Sequence, residues 1–193
     1  MNTTADPRSR VTGVVLAGGR GLRMGGVDKG LIEIGGRALV EAPLDALRPQ
    51  VGRLIVSANR NTARYAAFGV HVVADLQPDY AGPLAGLAAA AQAATTEWLV
   101  SAPCDTRTLP TDLVARLVLA AERFGVDAAY ACDADGPQYV VCALRTSLAG
   151  ALARAAASSR RALRDFLHAQ RAVAVHFCDW RCANLNTPEA LTC

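Results

Sequence analysis

Apolar positions along the chain come in two periods, and the two alternate. Val11–Ala17 is a continuous apolar run of the kind that a strand buried on both faces requires. Ala38–Leu47 repeats its apolar residues at helical spacing, and Arg53–Ser57 returns to a strand pattern. The alternation continues with a short helix over Thr62–Phe68 and a strand over Val70–Ala74. An alanine-rich helix over Leu84–Ala94 follows, then a strand over Glu97–Ala102 and a helix over Pro110–Phe124 with Pro110 near its first turn. Asp127–Cys132 and Tyr139–Leu144 read as strands around a turn-rich loop, Asp133–Pro137. Helices near Leu148–Ala157 and Arg161–Ala169, a last strand over Val173–Phe177 and a short helix from Thr187 complete the pattern. Strand–helix alternation over the first 125 or so residues predicts right-handed βαβ units. The predicted class is therefore α/β, a mostly parallel sheet with an antiparallel strand from the pair around Gly136.

The chain has 193 residues, with 52% apolar and 19% charged, which suits one globular domain with a sizeable core. Residues 1–10 read as a flexible tail and 11–193 as a single domain. The net charge of +3 is spread along the sequence, so no clustered basic face argues for nucleic acid. No apolar run reaches the ~18–20 residues that a bilayer span needs, and the N-terminus lacks an apolar signal region, so a cytoplasmic location is expected. The six cysteines are expected to be free buried thiols, because their spacing matches no zinc set. His71, His168 and His176 are scattered and read as structural or surface residues.

In an open α/β sheet, ligands bind beyond the carboxyl ends of the strands, so the residues after each strand carry the chemistry. After the first strand comes Gly18–Lys29, glycine-rich and carrying Arg20, Arg23 and Lys29. Glycines let backbone N–H groups approach phosphate oxygens, arginine offers a planar fork and lysine a point charge. It is neither a Walker A loop nor the dinucleotide fingerprint, since Gly19-x-Gly21 is followed by Leu22, Arg23 and Met24. Asn59 follows the second strand and Asp75 the third; each reads as a nucleotide contact or as a residue shaping its turn. After the fourth comes Asp105, placed where a Mg²⁺ ligand facing a phosphate loop is needed, or else a helix cap. Gly82–Gly86 offers a close approach for a base or ribose, and Asn184–Pro188 a closing segment from the last strand.

Several of these segments together resemble the bacterial molybdenum cofactor guanylyltransferases. They are Val14–Gly30, Asn59-Arg60, Asp79–Gly86, Pro103–Thr106 and Asn184-x-Asn186-Thr187-Pro188-Glu189. The resemblance spans about residues 11–191. It implies a Rossmann-like three-layer α/β/α sandwich that uses GTP and Mg²⁺ to guanylylate molybdenum-bound molybdopterin, with partners among molybdenum cofactor biosynthesis and insertion proteins. Carried over by motif, Leu16, Ala17, Gly18, Gly19, Lys29, Asn59, Asp75 and Asp105 contact the nucleotide. Arg23, Lys29 and Asp105 are the catalytic set, and Asp105 holds the metal. The family often has a His-Pro pair where Gln138-Tyr139 stands here. A related transferase using CTP or a sugar-phosphate acceptor, and a non-catalytic GTP-binding module, are the alternatives. Lys29 and Asp105 both being present argues against the binding module. The third glycine missing from the loop, and Asn59 where an acid is needed, argue against an NAD-binding protein.

Overall fold

A computed structural model describes residues 6–19, 27–75, 82–158 and 162–183. Seven strands form one sheet: β1 (Val11–Leu16), β4 (Arg53–Ser57), β5 (His71–Val73), β6 (Trp98–Pro103), β7 (Ala128–Asp133), β8 (Gly136–Arg145) and β9 (Val173–His176). Their spatial order is β5-β4-β1-β6-β8-β7-β9. The neighbours of β1, the β4–β5 pair and the β7–β9 pair are parallel, while β8 runs antiparallel to both β6 and β7. The antiparallel strand thus sits inside the sheet, and the β7–β8 hairpin turns on Ala134 and Asp135 alone. Asp133 holds that turn by accepting the N–H groups of Asp135 (2.8 Å) and Gly136 (3.0 Å).

Strand alternation divides the core in two. Val11, Val15, Val56, Trp98, Val100 and Ala102 face one layer, with helices α1 (Glu41–Leu47), α2 (Thr62–Ala66) and α4 (Leu113–Phe124). Val14, Ile55, Leu99, Cys142 and Leu144 face the other, with α3 (Pro83–Ala93), α5 (Ala149–Ala157) and α6 (Leu163–Ala169). Side chains two apart on a strand share a face, so one run of valines and leucines feeds both layers. Helix α3 is buried from Leu84 to Ala91, wedged between the sheet and α5, which is why its sequence is nearly all alanine and leucine. Helix α4 buries only Leu113, Val114, Leu117 and Ala121, and ends on Gly125 in the left-handed conformation (φ +65°).

Differences from the sequence expectation lie at element ends. Ala38 belongs to a two-stranded hairpin, β2 (Glu33–Ile34) with β3 (Arg37–Ala38), and α1 begins at Glu41. Gly35 and Gly36 both have positive φ (59° and 78°), as the tight two-residue turn requires. Helix α4 starts at Leu113, because Pro110–Leu113 first closes a turn through Leu113 N–H to Pro110 O (3.2 Å). Pro7–Arg10, within the expected tail, forms a 3-10 turn capped by Asp6. The helix expected from Thr187 lies outside the described residues.

Candidate nucleotide site

The carboxyl ends of four adjacent parallel strands make one rim, and hydrogen bonds carry the sheet ladder past the strand ends. Ala17 N–H donates to Ser57 O (2.8 Å), Ala58 N–H to Val73 O (2.9 Å) and Cys104 N–H to Leu16 O (3.1 Å). The first residues of each loop are therefore fixed by the same geometry as the strands. A cavity of about 330 Å³ opens above them, lined among others by Leu16, Gly18, Gly19, Ser57, Asp75 and Gly86. At Gly18 a Cβ would lie 3.3 Å from Asn59 Nδ2, so the side-chain-free backbone is what lets that residue stand against its neighbours.

Asn59 and Asp75 form a pair at the floor of this cavity. Asn59 Nδ2 donates to Asp75 Oδ2 (2.7 Å), and Asp75 N–H donates back to Asn59 Oδ1 (2.8 Å). Burial raises the Asp75 carboxyl above its ordinary range, and hydrogen bonds from Asn59 and Ser57 offset part of the rise. Gly82, with φ +73°, sets the entry of α3, whose first turn forms the opposite wall. A carboxylate flanked by an amide in a half-buried pocket is suited to reading N–H donors on a purine edge.

Lys29 stands at the same rim, opposite Asp105. A 3-10 turn, Lys29–Leu31, presents it, and its Nζ pairs with Asp105 Oδ2. Asp105 is 8% exposed, so this ion pair is largely withdrawn from water. Between Pro103 and Asp105, burial pushes the Cys104 thiol up to about 12, which leaves it inert. Lys29 is also the only lysine in the chain; every other Lys or Arg position is arginine.

A family model described as a MobA-like NTP transferase domain matches residues 13–174. A Cupriavidus necator protein named molybdenum cofactor guanylyltransferase is 44% identical over 190 residues, covering 95% of this chain and 96% of its own. The chain belongs to the MobA-like NTP transferase family. It is a nucleotidyltransferase, and two solved structures share its fold. One is the molybdopterin-guanine dinucleotide biosynthesis protein A of Archaeoglobus fulgidus, with TM-score 0.72, 23% identity and coverage of 93% of this chain and 94% of that one. The other is a Mycobacterium tuberculosis protein crystallised as a complex with manganese, with TM-score 0.70, 20% identity and coverage of 94% and 96%.

In this MobA-like transferase, Leu16, Gly18, Gly19 and Asp75 line one cavity, with Ala17 buried beneath it and Asn59 bonded to Asp75. Lys29 and Asp105 meet as an ion pair. Arg20, Arg23 and the Asn184–Glu189 segment lie outside the described residues. Gln138, which stands where the resemblance led one to expect a His-Pro pair, donates to Asp133 Oδ2 (3.1 Å). The same carboxylate oxygen accepts the Cys182 N–H (2.7 Å), so Gln138 is engaged in anchoring the chain that leaves β9. Among the described residues, no helix is long and apolar enough to cross a membrane.

Two buried residues of the site escaped the sequence reading. Asp28, 9% exposed, accepts from Tyr65 Oη and from Asn61 Nδ2 (3.0 Å). In the sequence Asp28 is only one residue within the Val14–Gly30 segment. Tyr65 is one apolar-face residue of a short helix, and nothing local marks it as a partner 37 positions away.

Proposed function

We propose that the protein transfers the GMP part of GTP to the terminal phosphate of molybdenum-bound molybdopterin and releases pyrophosphate. The observation that carries this reading is the Lys29–Asp105 pair, set at one rim with the Gly18–Gly19 backbone and the Asn59–Asp75 pocket. The name borne by the Cupriavidus necator relative supports the substrate pair. An acceptor phosphate oxygen forms the new bond to the α-phosphorus, and the bond from that phosphorus to the leaving pyrophosphate breaks. The acceptor is already ionised at neutral pH, so the protein has no proton to remove. Its work is positioning and charge neutralisation.

Asp75 and Asn59 hold the base, and the chain from Leu16 to Gly19 lines the nucleotide site, with the side-chain-free Gly18–Gly19 backbone allowing close approach. Lys29 and Arg23 neutralise phosphate charge. Asp105 fits a Mg²⁺ ligand: it is one hard carboxylate at a strand end, and Mg²⁺ takes one or two carboxylates and fills its remaining positions with phosphate oxygens and water. When bound, the ion would neutralise charge on the triphosphate. Lys29 and Asp105 neutralise each other across the rim, so the site holds two opposite charges in a half-dry setting.

The test is Asp105→Ala against the parent protein, with pyrophosphate release measured across a panel of nucleoside triphosphates, with and without molybdopterin and Mg²⁺. The parent is expected to respond to GTP with the acceptor present. The variant is expected to keep its fold and lose at least about 100-fold in turnover, as removal of a group that stabilises transition-state charge does. Turnover with CTP but not GTP, or a fully active Asp105→Ala protein, overturns the reading.

A further inference from the structure

The phosphate-facing lysine is held by residues that touch no substrate position. We infer that Tyr65, through Asp28, is a positioning residue for Lys29, and that the Asn59–Asn61 loop couples this brace to the base pocket. The inference rests on the nucleotidyltransferase reading for the role of Lys29, but the geometry stands on its own.

Both chain neighbours of Lys29 are pinned to Tyr65. On one side, the Tyr65 hydroxyl donates to Asp28 Oδ1. On the other, Gly30 packs on the same ring so closely that a Cβ there would lie 2.5 Å from the hydroxyl oxygen and 3.2 Å from Cε1. The turn is closed by Leu31 N–H to Asp28 O (3.1 Å) and Ile32 N–H to Lys29 O (3.2 Å), and Val40 N–H holds Gly30 O (3.0 Å). The lysine backbone is therefore fixed from before and after, leaving its side chain to span to Asp105. Tyr65 is fully buried, and burial, reinforced by the Asp28 charge, pushes its hydroxyl well above the usual tyrosine range. It stays a donor at any working pH.

The second bond to Asp28 comes from Asn61, which sits in the left-handed conformation (φ 51°) and starts α2. Two residues earlier, Asn59 bonds Asp75. One three-residue loop thus grips the carboxylate under the base pocket with one amide, and with the other the carboxylate beside the phosphate lysine. A buried carboxylate is costly unless its oxygens are occupied, so Asp28 keeps its place only while Tyr65 and Asn61 keep theirs.

Because Lys29 is the only lysine, protein grown with ¹³Cε-labelled lysine gives a single side-chain signal from it. Asp105→Asn fixes where that signal lies when the pair is broken. In full-length Tyr65→Phe that remains folded by circular dichroism, the signal is expected to move toward the Asp105→Asn position. GTP affinity, measured by calorimetry, is expected to fall about tenfold, the worth of one hydrogen bond to a charged group. An unmoved signal, or an affinity within about twofold of the parent, overturns the inference. Should Tyr65→Phe fail to fold, Asn61→Gly keeps the left-handed backbone, removes only the amide, and is read by the same two criteria. If the parent protein does not turn over GTP, the functional reading fails while the nucleotide-free lysine signal still decides on the brace.

Discussion

Gly86 sets two physical effects against each other, and the structure decides between them. It lies in the first turns of α3 and lines the nucleotide cavity. Replacing a helical glycine by alanine gains about 1 kcal/mol from helix propensity. Here a Cβ would sit 2.5 Å from Ser57 Oγ, 3.0 Å from Leu16 Cδ2 and 3.3 Å from Ser57 Cβ. Ser57 is 1% exposed at the carboxyl end of β4, packed between Gly86 and the Asp75 carboxyl, so its side chain has little room to give way. Overpacking of this kind costs about 1–3 kcal/mol, which outweighs the propensity gain. With the propensity gain subtracted, up to about 2 kcal/mol of cost remains, so Gly86→Ala is expected to lower the thermal midpoint by up to about 8 °C, at about 2–4 °C per kcal/mol for a chain of this size. Ser57 also bonds the Asp75 carboxyl, so its displacement reaches the base pocket. Calorimetric titration is expected to show GTP binding weakened by about tenfold, as for one disturbed charged hydrogen bond. A variant with a raised midpoint and parental GTP affinity would refute the packing argument, for it would mean that helix propensity had won.

Two further outcomes follow from burial. The folded-state value of Asp75 is raised, so its favourable contribution is complete below the unfolded value near 3.8 and is lost as pH rises through the folded value. Asp75→Asn should accordingly raise the thermal midpoint at about pH 7, with the gain vanishing toward about pH 4, while weakening GTP binding; a midpoint lowered at neutral pH would contradict this. Burial pushes the Cys104 and Cys142 thiols up to about 12, whereas Cys178, expected from the sequence to be buried, is exposed in the turn that follows β9. Brief alkylation of the native protein followed by peptide mass mapping should modify Cys178 and leave Cys104 and Cys142 unreacted until unfolding; early labelling of Cys104 would show that the Asp105 loop opens.

The strand–helix alternation of the first half, its parallel sheet and the residues that follow each strand were legible in the sequence because most of these strands are long enough to show a period and each loop begins directly after its strand. What the sequence hid depends on contacts without a local pattern. The β2–β3 strands have two residues each, too few for any period, and only the Gly35-Gly36 pair hinted at their turn. Asn59 and Asp75 were both placed on the rim, yet their mutual bond spans 16 positions and emerges only when β4 and β5 lie side by side. Asp28 reads as a charged loop residue until α2 brings Tyr65 over it. The position of β8 between β6 and β7 is likewise a tertiary result, since a hairpin reads the same at the edge of a sheet as inside it.

The ladder bonds that run past the strand ends bear on the entropy of binding. Ala17, Ala58 and Cys104 donate to the last carbonyls of the neighbouring strands, so their amides are expected to exchange hydrogen more slowly than those of an unanchored loop. Asn59 and Asp105 each follow one of these anchored residues directly. An incoming nucleotide therefore meets a floor whose conformational freedom was already surrendered when the chain folded, and less of its contact energy is spent on ordering the protein beneath it.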